Sequence, residues 1–452
     1  MMRAADNEIL TRVGPGTPMG ELMRQYWFPA IKSTELEAGG APVRLRLLCE
    51  NFIAFRSPDG TVGITDHECA HRCASLFYGR NEDGGIRCTY HGWKFDATGQ
   101  CVDMPSEPPE TDYKERVRIR ALPVREAYGA IWAYMGSAKE PPPFAAFDLD
   151  LIPAAEVTTT FLFRECNWLQ ALEGDIDTCH VGFLHGGGVQ ATDYEPGTLD
   201  YYRSLNRHPK YEAVETPYGT MYTAYRPAGE SETYHRVGQF ALPFWTMAPS
   251  EPMGHNHVRA WVPLDDENSL LVTFSAPLYT PYGKDKDGKP FAGMTIKLDY
   301  LPNTTDWLGR WRIKENPRND HLLSRELQKD RNYSGVVGIV VQDQAITESM
   351  GSIVNRTKEH LGTSDRMIQL TRRTLMRAVL ALRDEGAVPA GVNDPAVSRN
   401  VRSGFMVIPS SDDWLETFNR LRREWRGEDA ERILRVGKSE PARNEATLQP
   451  AK

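Results

Sequence analysis

The chain has 452 residues, of which 40% are hydrophobic and 25% are charged, and its formal net charge is −8. These values are those of a globular protein with room for two or three domains. The negative charge argues against a protein that binds nucleic acid by neutralising phosphates, and no apolar run is long enough to predict a membrane span.

The N-terminal residues predict a short helical segment. Residues 1–8 are polar, so no signal peptide is visible and we expect a cytoplasmic protein. Residues 5–27 have a helical pattern of apolar positions, which is interrupted by the turn sequence Gly14-Pro15-Gly16. We therefore assign residues 1–29 to an N-terminal helical segment that packs on the larger domain of the chain.

Residues 30–140 predict a small antiparallel β-domain. Residues 43–66 alternate apolar and polar positions as half-buried strands do, and further strand patterns lie at 117–124 and 130–134. The run Pro141-Pro142-Pro143 then predicts a stiff linker, which we take as the end of this domain.

Two short Cys/His pairs lie within the small β-domain. One residue separates Cys69 from His71, two separate Cys88 from His91, and sixteen lie between the pairs. A cluster with two Cys on one iron and two His on the other is the Rieske type of [2Fe-2S] centre. The alternating order suits this cluster because each loop can give one ligand to each iron. The alternative is structural zinc, whose sites usually keep like ligands together.

Residues 141–436 predict a larger domain that contains both strands and helices. Strand patterns recur between residues 199 and 275, and helices are predicted at 365–383 and 412–435. The polar residues 437–452 predict a loose tail.

A second set of possible metal ligands lies early in this domain. Glu173, Asp177 and His180 stand at i, i+4 and i+7, so a helix over 167–185 would place them on one face. His185 follows five residues after His180, and nearby glycines permit the unwinding that lets both imidazoles reach one ion. Two His and a distant carboxylate form the facial triad of non-haem Fe(II) oxygenases. The alternative is a set of ordinary polar residues on a half-buried helix.

The patterns Cys-x-His-x16-Cys-x2-His and Glu-x3-Asp-x2-His-x4-His together resemble the α subunit of the Rieske non-haem iron ring-hydroxylating oxygenases, and within that family the phthalate dioxygenase branch. The resemblance implies an α+β fold. Its parts are an antiparallel β Rieske domain and a catalytic domain with an antiparallel sheet covered by helices, in a helix-grip-like arrangement. It also implies that Cys69 and Cys88 hold one iron of a [2Fe-2S] cluster while His71 and His91 hold the other.

The resemblance further implies a mononuclear Fe(II) site. His180 and His185 would hold this iron with Asp343 as the third ligand, although Asp343 could instead cap the helix that follows it. Asp177 would link His180 to His91 of a neighbouring subunit. Such a carboxylate orients the imidazole and offers electrons a short path.

The resemblance implies the terminal oxygenase of a multicomponent system that uses O2. The chain has no Gly-x-Gly-x-x-Gly nucleotide loop, so electrons would come from a separate flavin and iron-sulfur reductase. Oxygenases of this branch contain α subunits only, so we expect a trimer or hexamer. The alternative function is a Rieske electron carrier without chemistry of its own.

The branch acts largely on aromatic carboxylates, by ring dihydroxylation or by monooxygenation such as O-demethylation. A carboxylate needs a cation, ideally an arginine that donates two hydrogen bonds. The β-rich part of the larger domain contains Arg203, Arg207, Arg226, Arg236 and Arg259. We take Arg207 as the first candidate for binding a phthalate- or phenoxybenzoate-like acid.

Overall fold

The structure is a computed structural model that describes residues 2–145, 147–149, 152–249, 256–276, 285–289, 291 and 293–425. The predicted tail 437–452 lies outside these residues. Several small sheets occupy the chain up to residue 134, and one large sheet begins at residue 158. None of the described helices is both long and apolar enough to cross a membrane.

Two short helices open the chain, α1 at Ala4–Thr11 and α2 at Pro18–Arg24. The predicted Gly-Pro-Gly turn separates them, and Thr17 caps α2 because its side chain accepts a backbone hydrogen bond. Asn7 of α1 donates to the Val354 carbonyl at 3.2 Å. The N-terminal segment therefore contacts a part of the chain that lies far beyond the small sheets.

The described residues up to 134 form three small antiparallel sheets. Their strands are β1 (Trp27–Lys32), β2 (Val43–Leu47), β3 (Glu50–Arg56), β4 (Val62–Asp66), β5 (Arg80–Glu82), β6 (Gly85–Arg87), β7 (Lys94–Phe95), β8 (Cys101–Asp103), β9 (Val124–Ala127) and β10 (Ala130–Tyr134). The pairing orders are β2-β3-β4, β5-β6-β7-β8 and β1-β10-β9. The loops after β4 and β6 carry the two Cys/His pairs.

The larger part of the chain contains one antiparallel sheet. Its described strands are β11 (Thr158–Arg164), β12 (Lys210–Thr216), β13 (Gly219–Pro227), β14 (Glu232–Ala241), β15 (Trp245–Met247), β16 (Asn256–Pro263), β17 (Ser269–Ala276) and β18 (Gly404–Pro409). They pair in the order β11-β17-β16-β15-β14-β13-β12, and β18 also pairs with β14. The pairing makes one continuous surface from segments spread over about 250 residues.

Six helices accompany this sheet within the described residues. They are α3 (Trp168–Ile176), α4 (Leu199–Leu205), α5 (Arg325–Lys329), α6 (Ile339–Ser349), α7 (Arg366–Glu385) and α8 (Trp414–Trp425). Helix α3 packs on β14, β15 and β16, and α7 packs on β12 and β13. Helix α6 packs on α3, which brings its residues to the same side of the sheet.

The two faces of the large sheet meet different partners. Trp132 of β10 stacks on Phe274 of β17 and on Trp245 of β15, with ring centroids 5.2 and 5.7 Å apart. Phe274 alternates along its strand with Thr273 and Ser275, which face a cavity beneath α3. The small sheets therefore lie against one face, where α8 also packs on Met221 and Val237, and helices α3 and α7 lie against the other face. This arrangement confirms the predicted fold class.

Two sequence-based boundaries differ from the observed elements. Strand β1 begins at Trp27, before the domain boundary expected at residue 30, because it pairs with β10. The helix predicted over 167–185 ends at Ile176, and Asp177 follows with extended backbone angles of φ −83° and ψ 95°. A separate 3-10 turn then covers His180–Gly182. The prediction that Glu173, Asp177 and His180 lie on one face of a single helix is therefore wrong.

Candidate metal centres

The two loops that carry the Cys/His pairs follow the same backbone path. In each loop the cysteine N–H donates to the carbonyl of the fifth residue after it, Ala74 in the first loop and Trp93 in the second. The fourth residue after the cysteine donates its N–H back to the cysteine carbonyl and has a positive φ, 58° at Cys73 and 84° at Gly92. The loops therefore present two matched sets of side chains to the space between them.

The cysteines of the two Cys/His pairs lie inside the domain. Cys69 and Cys88 are 2% and 4% exposed. Burial, together with the neighbouring Cys88 thiol, raises the pKa of Cys69 to about 12. Two adjacent thiols of this kind become thiolates when a metal replaces their protons.

The histidines of the two loops lie beside each other. The ring centroids of His71 and His91 are 4.4 Å apart, and the Trp93 indole stacks on His71 at 4.6 Å. The Nδ1 atom of His71 is buried and has no hydrogen-bond partner among the described residues. A buried ring nitrogen without a hydrogen bond is unfavourable unless its lone pair binds a metal.

The spacing of the four side chains decides between one ion and a two-iron cluster. Ligands about 2.0–2.3 Å from one tetrahedral zinc lie within about 4 Å of one another. Within the described part of the chain, no three of Cys69, His71, Cys88 and His91 bring their ligand atoms within 4.8 Å of one another. The donor set therefore fits a cluster with two separate irons better than a single zinc ion.

Three other donor atoms meet beside α3. The Nε2 atoms of His180 and His185 are 3.1 Å apart, and Asp343 Oδ1 lies 3.3 Å from the first and 3.1 Å from the second. Ligands at right angles around one ion, each about 2.1 Å from it, stand about 3.0 Å apart. The three side chains therefore fit one face of a single ion, and all three line the same cavity.

Distant elements bring this triad together. His180 lies in the 3-10 turn after α3, His185 lies in the loop after that turn, and Asp343 is the fifth residue of α6. Asp343 is thus inside a helix and not its cap, which removes the alternative role for this residue. Gln170 of α3 donates to the Thr347 carbonyl of α6 at 2.8 Å and so joins the two segments.

Gln342 orients one imidazole of the triad. Its side-chain oxygen lies 2.7 Å from His185 Nδ1, and its amide nitrogen donates to the Val336 carbonyl at 2.8 Å. The second bond fixes the amide so that its oxygen accepts the proton of Nδ1, which leaves the Nε2 lone pair for a metal. We assigned no role to Gln342 from the sequence. Its position directly before the candidate ligand Asp343 was the only feature of the sequence that could have indicated this role.

Asp177 lies on the other side of His180. Its Oδ1 accepts the Cys179 N–H at 2.8 Å, and its Oδ2 lies 3.7 Å from His180 Nδ1, a distance longer than a hydrogen bond. Burial raises the pKa of Asp177, but His180 outweighs burial and holds the pKa below its usual value. The Asp177 side chain is 27% exposed, so its ionised carboxylate is partly accessible from outside the triad.

The electrostatics of the triad favour a cation. Burial lowers the pKa of His180, but the nearby carboxylates of Asp177 and Asp343 outweigh burial and raise it to about 10. The two imidazoles in turn hold the pKa of Asp343 far below its usual value, although burial opposes that shift. Two carboxylates beside two imidazoles therefore stabilise positive charge at their centre.

Two residues singled out from the sequence lie elsewhere. The Glu173 carboxylate pairs with Arg356 at 2.9 Å and with Arg372 at 2.6 Å, away from the triad. Arg207 is not part of the cavity wall, because its guanidinium donates to backbone carbonyls of the loop 186–189. The structure therefore does not bring Arg207 to the place where we expected a substrate carboxylate.

The triad opens on a cavity of about 230 Å³. For comparison, an apolar cavity of about 150 Å³ holds benzene, so this space suits one substituted ring. Much of the wall is apolar and comes from Leu162, Trp261, Leu271, Ile296, Leu298 and Val340.

A cationic corner adjoins this apolar wall. Arg236 of β14 lines the cavity, is 4% exposed and donates to the Pro249 carbonyl at 2.8 Å. Arg226 of β13 lies beside Arg236 but is not part of the cavity wall, and it is also 4% exposed. Its Nε and Nη1 atoms have no hydrogen-bond partner among the described residues, and burial lowers its pKa to about 10. The register places Arg236 opposite Ala224 and Arg226 opposite Tyr234, so the two arginines are diagonal neighbours on one face.

Comparison with known families assigns both halves of the chain. Residues 26–123 match the family model of the Rieske [2Fe-2S] domain. Residues 133–433, which are more than half of the chain, match the family model described as LigXa C-terminal domain like.

Three characterised relatives match most of the chain. The 3-chlorobenzoate-3,4-dioxygenase oxygenase subunit of Comamonas testosteroni is 47% identical over 423 residues, which are 92% of this chain and 97% of the relative. The phthalate 4,5-dioxygenase oxygenase subunit of Pseudomonas putida is 33% identical over 429 residues, with coverages of 92% and 94%. The tert-butanol monooxygenase / tert-amyl alcohol desaturase oxygenase subunit of Aquincola tertiaricarbonis is 39% identical over 410 residues, with coverages of 86% and 80%.

A solved structure shares the fold. Dicamba monooxygenase bound to dicamba aligns with a TM-score of 0.52 and 17% identity, over 80% of this chain and 98% of that chain. Together with the two donor sets, these matches confirm a Rieske [2Fe-2S] cluster and a mononuclear iron as the cofactors. The chain belongs to the Rieske non-haem iron oxygenases, as the oxygenase subunit of a multicomponent system in the phthalate dioxygenase-like branch.

Proposed function

We propose that this oxygenase subunit hydroxylates an aromatic carboxylate, by ring dihydroxylation or by monooxygenation such as O-demethylation. The observation that carries the proposal is the cationic corner, in which Arg236 lines the cavity and Arg226 is its diagonal neighbour on the sheet. Neither guanidinium has a carboxylate partner among the described residues, and a buried charge without a counterion is strongly unfavourable. An acid group of the substrate would supply that counterion. Two of the relatives are named for the carboxylates 3-chlorobenzoate and phthalate.

Two of the other three arginines of the cavity wall have carboxylate partners inside the protein, and the third, Arg164, donates to the Thr347 hydroxyl at 3.1 Å and lies over the Trp261 ring. Arg203 pairs with Asp200 at 2.9 Å, and Arg259 pairs with Asp175. Their charges are therefore offset, whereas Arg236 meets only a backbone carbonyl. We assign to Arg236 the role that Arg207 was expected to play. The substrate ring would lie along the apolar wall, between this corner and the triad.

The proposed iron ligands are of two kinds. The cluster ligands are Cys69, His71, Cys88 and His91. The ligands of the mononuclear iron are His180, His185 and Asp343. When bound, the two centres supply electron transfer and the reductive activation of O2. The protein would orient the imidazoles through hydrogen bonds and present the acid to the open side of the triad.

We propose that Asp177 links His180 to His91 of a neighbouring subunit. Its carboxylate is ionised and partly accessible, and Tyr90, beside His91, is 57% exposed at the tip of its loop. A carboxylate that accepts hydrogen bonds from two imidazoles fixes both rings and joins them by a short path. This role requires an oligomer, a trimer or a hexamer, with a separate flavin and iron-sulfur reductase as electron donor.

A substrate panel tests the carboxylate proposal. The protein with both iron centres loaded is combined with a generic NADH-dependent reductase and given benzoates, phthalates, phenoxybenzoates and methoxybenzoates, each beside its carboxamide. Products are identified by mass spectrometry. We expect products from acids, and Arg236→Gln should raise the KM of the preferred acid about 10- to 150-fold, because a hydrogen bond to a charged group contributes about 1.5–3 kcal/mol.

Two results would contradict this proposal. One is equal turnover of acids and carboxamides by the wild-type protein. The other is an unchanged KM for the acid in Arg236→Gln. Turnover of tertiary alcohols without turnover of any acid would favour a neutral substrate, as the name of the Aquincola relative suggests for that protein.

A further inference from the structure

Arg207 is bonded to the loop that carries His185. Its Nη1 donates to the Gly187 carbonyl at 3.2 Å, and its Nη2 donates to the Gly186 carbonyl at 3.3 Å. The same Nη2 also donates to the Val189 carbonyl. One side chain thus holds three of the four carbonyls that directly follow His185 in the chain.

The same loop is closely packed on its other side. A Cβ atom at Gly187 would lie 2.3 Å from the Tyr333 ring, and one at Gly188 would lie 1.9 Å from the Arg331 carbonyl oxygen. No side chain fits at either position. The loop is therefore confined between residues 331–333 and the guanidinium of Arg207.

His185 depends on this loop for its position. It lies outside the helices and strands of the described chain, since α3 ends at Ile176. Its imidazole is oriented by Gln342. The backbone N–H groups that follow it tie the loop to the preceding turn, since Gly186 donates to the Val181 carbonyl at 2.9 Å and Gly187 to the Phe183 carbonyl at 2.8 Å. The carbonyls of the same loop are held by Arg207.

We propose that Arg207 is a positioning residue for the mononuclear iron. It fixes the carbonyls of residues 186–189 and, through them, the distance between His185 and the other two ligands. The inference rests on the proposed ligand set and replaces the substrate-binding role expected for this arginine. A guanidinium suits the task because its five donors are held in one planar fork, whereas the compact ammonium of lysine cannot reach three carbonyls in the same way.

Iron retention tests this proposal. Arg207→Gln and Arg207→Lys are purified as full chains, and iron is counted against acid-labile sulfide, which measures the cluster and serves as an internal standard. Fe(II) affinity is measured by competition with a chelator, and the geometry of the site by the EPR spectrum of its nitric oxide complex. We expect both variants to keep the cluster, to bind the mononuclear iron about 10-fold or more weakly, and to show an altered spectrum. Excess Fe(II) should restore turnover with an unchanged KM for the acid.

A control variant and a ligand variant separate the role of Arg207 from the assignment of the iron ligands. Arg377→Gln removes an arginine that is 59% exposed and paired with Glu215, so iron affinity should not change. His185→Ala should lose one iron and keep the cluster. Wild-type iron affinity and spectrum in both Arg207 variants, with iron loss in His185→Ala, would overturn the positioning role alone. Full iron content in His185→Ala would overturn the ligand set and this inference with it.

Discussion

Replacing Gln342 by leucine should weaken binding of the mononuclear iron while leaving the rest of α6 in place. Gln342 is 1% exposed, its oxygen lies 2.7 Å from His185 Nδ1, and its amide is fixed by a 2.8 Å bond to the Val336 carbonyl. Leucine has a similar size but cannot accept the imidazole proton. The N–H of His185, a side chain that is 6% exposed, would then be buried without a partner.

The magnitude follows from that unpaired donor. A buried donor that loses its partner costs about 1–3 kcal/mol, which corresponds to about a 5- to 150-fold loss of iron affinity. Outer partners of metal-bound histidines typically contribute about 10- to 100-fold, in the same range. Fe(II) affinity would be measured by chelator competition, with the cluster iron of the same chain as the internal standard.

Helix α6 supplies a matched control two residues further on. Gln344 is 2% exposed and donates to the Phe163 carbonyl at 3.3 Å and to Glu348 at 2.9 Å, away from the triad. Gln344→Leu should therefore lower stability without a change in iron affinity. Equal iron affinities for Gln342→Leu, Gln344→Leu and the wild type would refute the reasoning about His185.

Two further variants test the electron link and the support of α3. Asp177→Ala should keep both metals and abolish turnover with an added reductase, since the carboxylate bridge is lost; NADH-coupled activity at the wild-type rate would contradict the bridge. Burial raises the pKa of Glu173, but Arg356 and Arg372 outweigh burial and hold it below its usual value, so ionised Glu173 stabilises the fold above a pH of about 4.3 and this contribution is lost as the pH falls through the lowered pKa. Glu173→Gln should cost about 3–5 kcal/mol at pH 7 and less at pH 3, as measured by chemical unfolding; equal costs at both pH values would contradict this assignment.

The parts of the fold that the sequence predicted are those set by local patterns. Alternation in residues 43–66 predicted β2, β3 and β4, and the apolar spacing of 365–383 predicted α7. The break between α1 and α2 followed from a Gly-Pro-Gly turn. The expected domain start at residue 30 falls within β1, whose pairing with β10, about 100 residues later in the chain, no local pattern reports.

The candidate site shows the same division between local and distant information. The spacing of the two Cys/His pairs was sufficient to indicate a cluster. The end of α3 at Ile176 could not be predicted, because the helical spacing of polar residues continues past that position. Nor could the sequence show that Glu173 pairs with Arg356 and Arg372, which lie 183 and 199 residues away. Helical periodicity alone could not distinguish a metal ligand from a residue of a buried ion pair.

The choice of substrate arginine depended on tertiary contacts that no local pattern reports. Arg207, Arg226 and Arg236 are alike in sequence, yet one bonds to a ligand loop while the other two share a sheet face with unpaired charge. Gln342 bonds to the His185 imidazole, and Arg207 bonds to the backbone that follows His185. Such roles become visible only when the partner atoms are known.

We propose that His180, His185 and Asp343 hold one iron that is separate from the cluster. Counting iron and acid-labile sulfide in the wild type and in Asp343→Ala tests it most directly. We expect about three irons and two sulfides per chain in the wild type, and about two of each in the variant with the cluster spectrum unchanged. Three irons retained in Asp343→Ala, or only two in the wild type after loading with Fe(II), would contradict the claim.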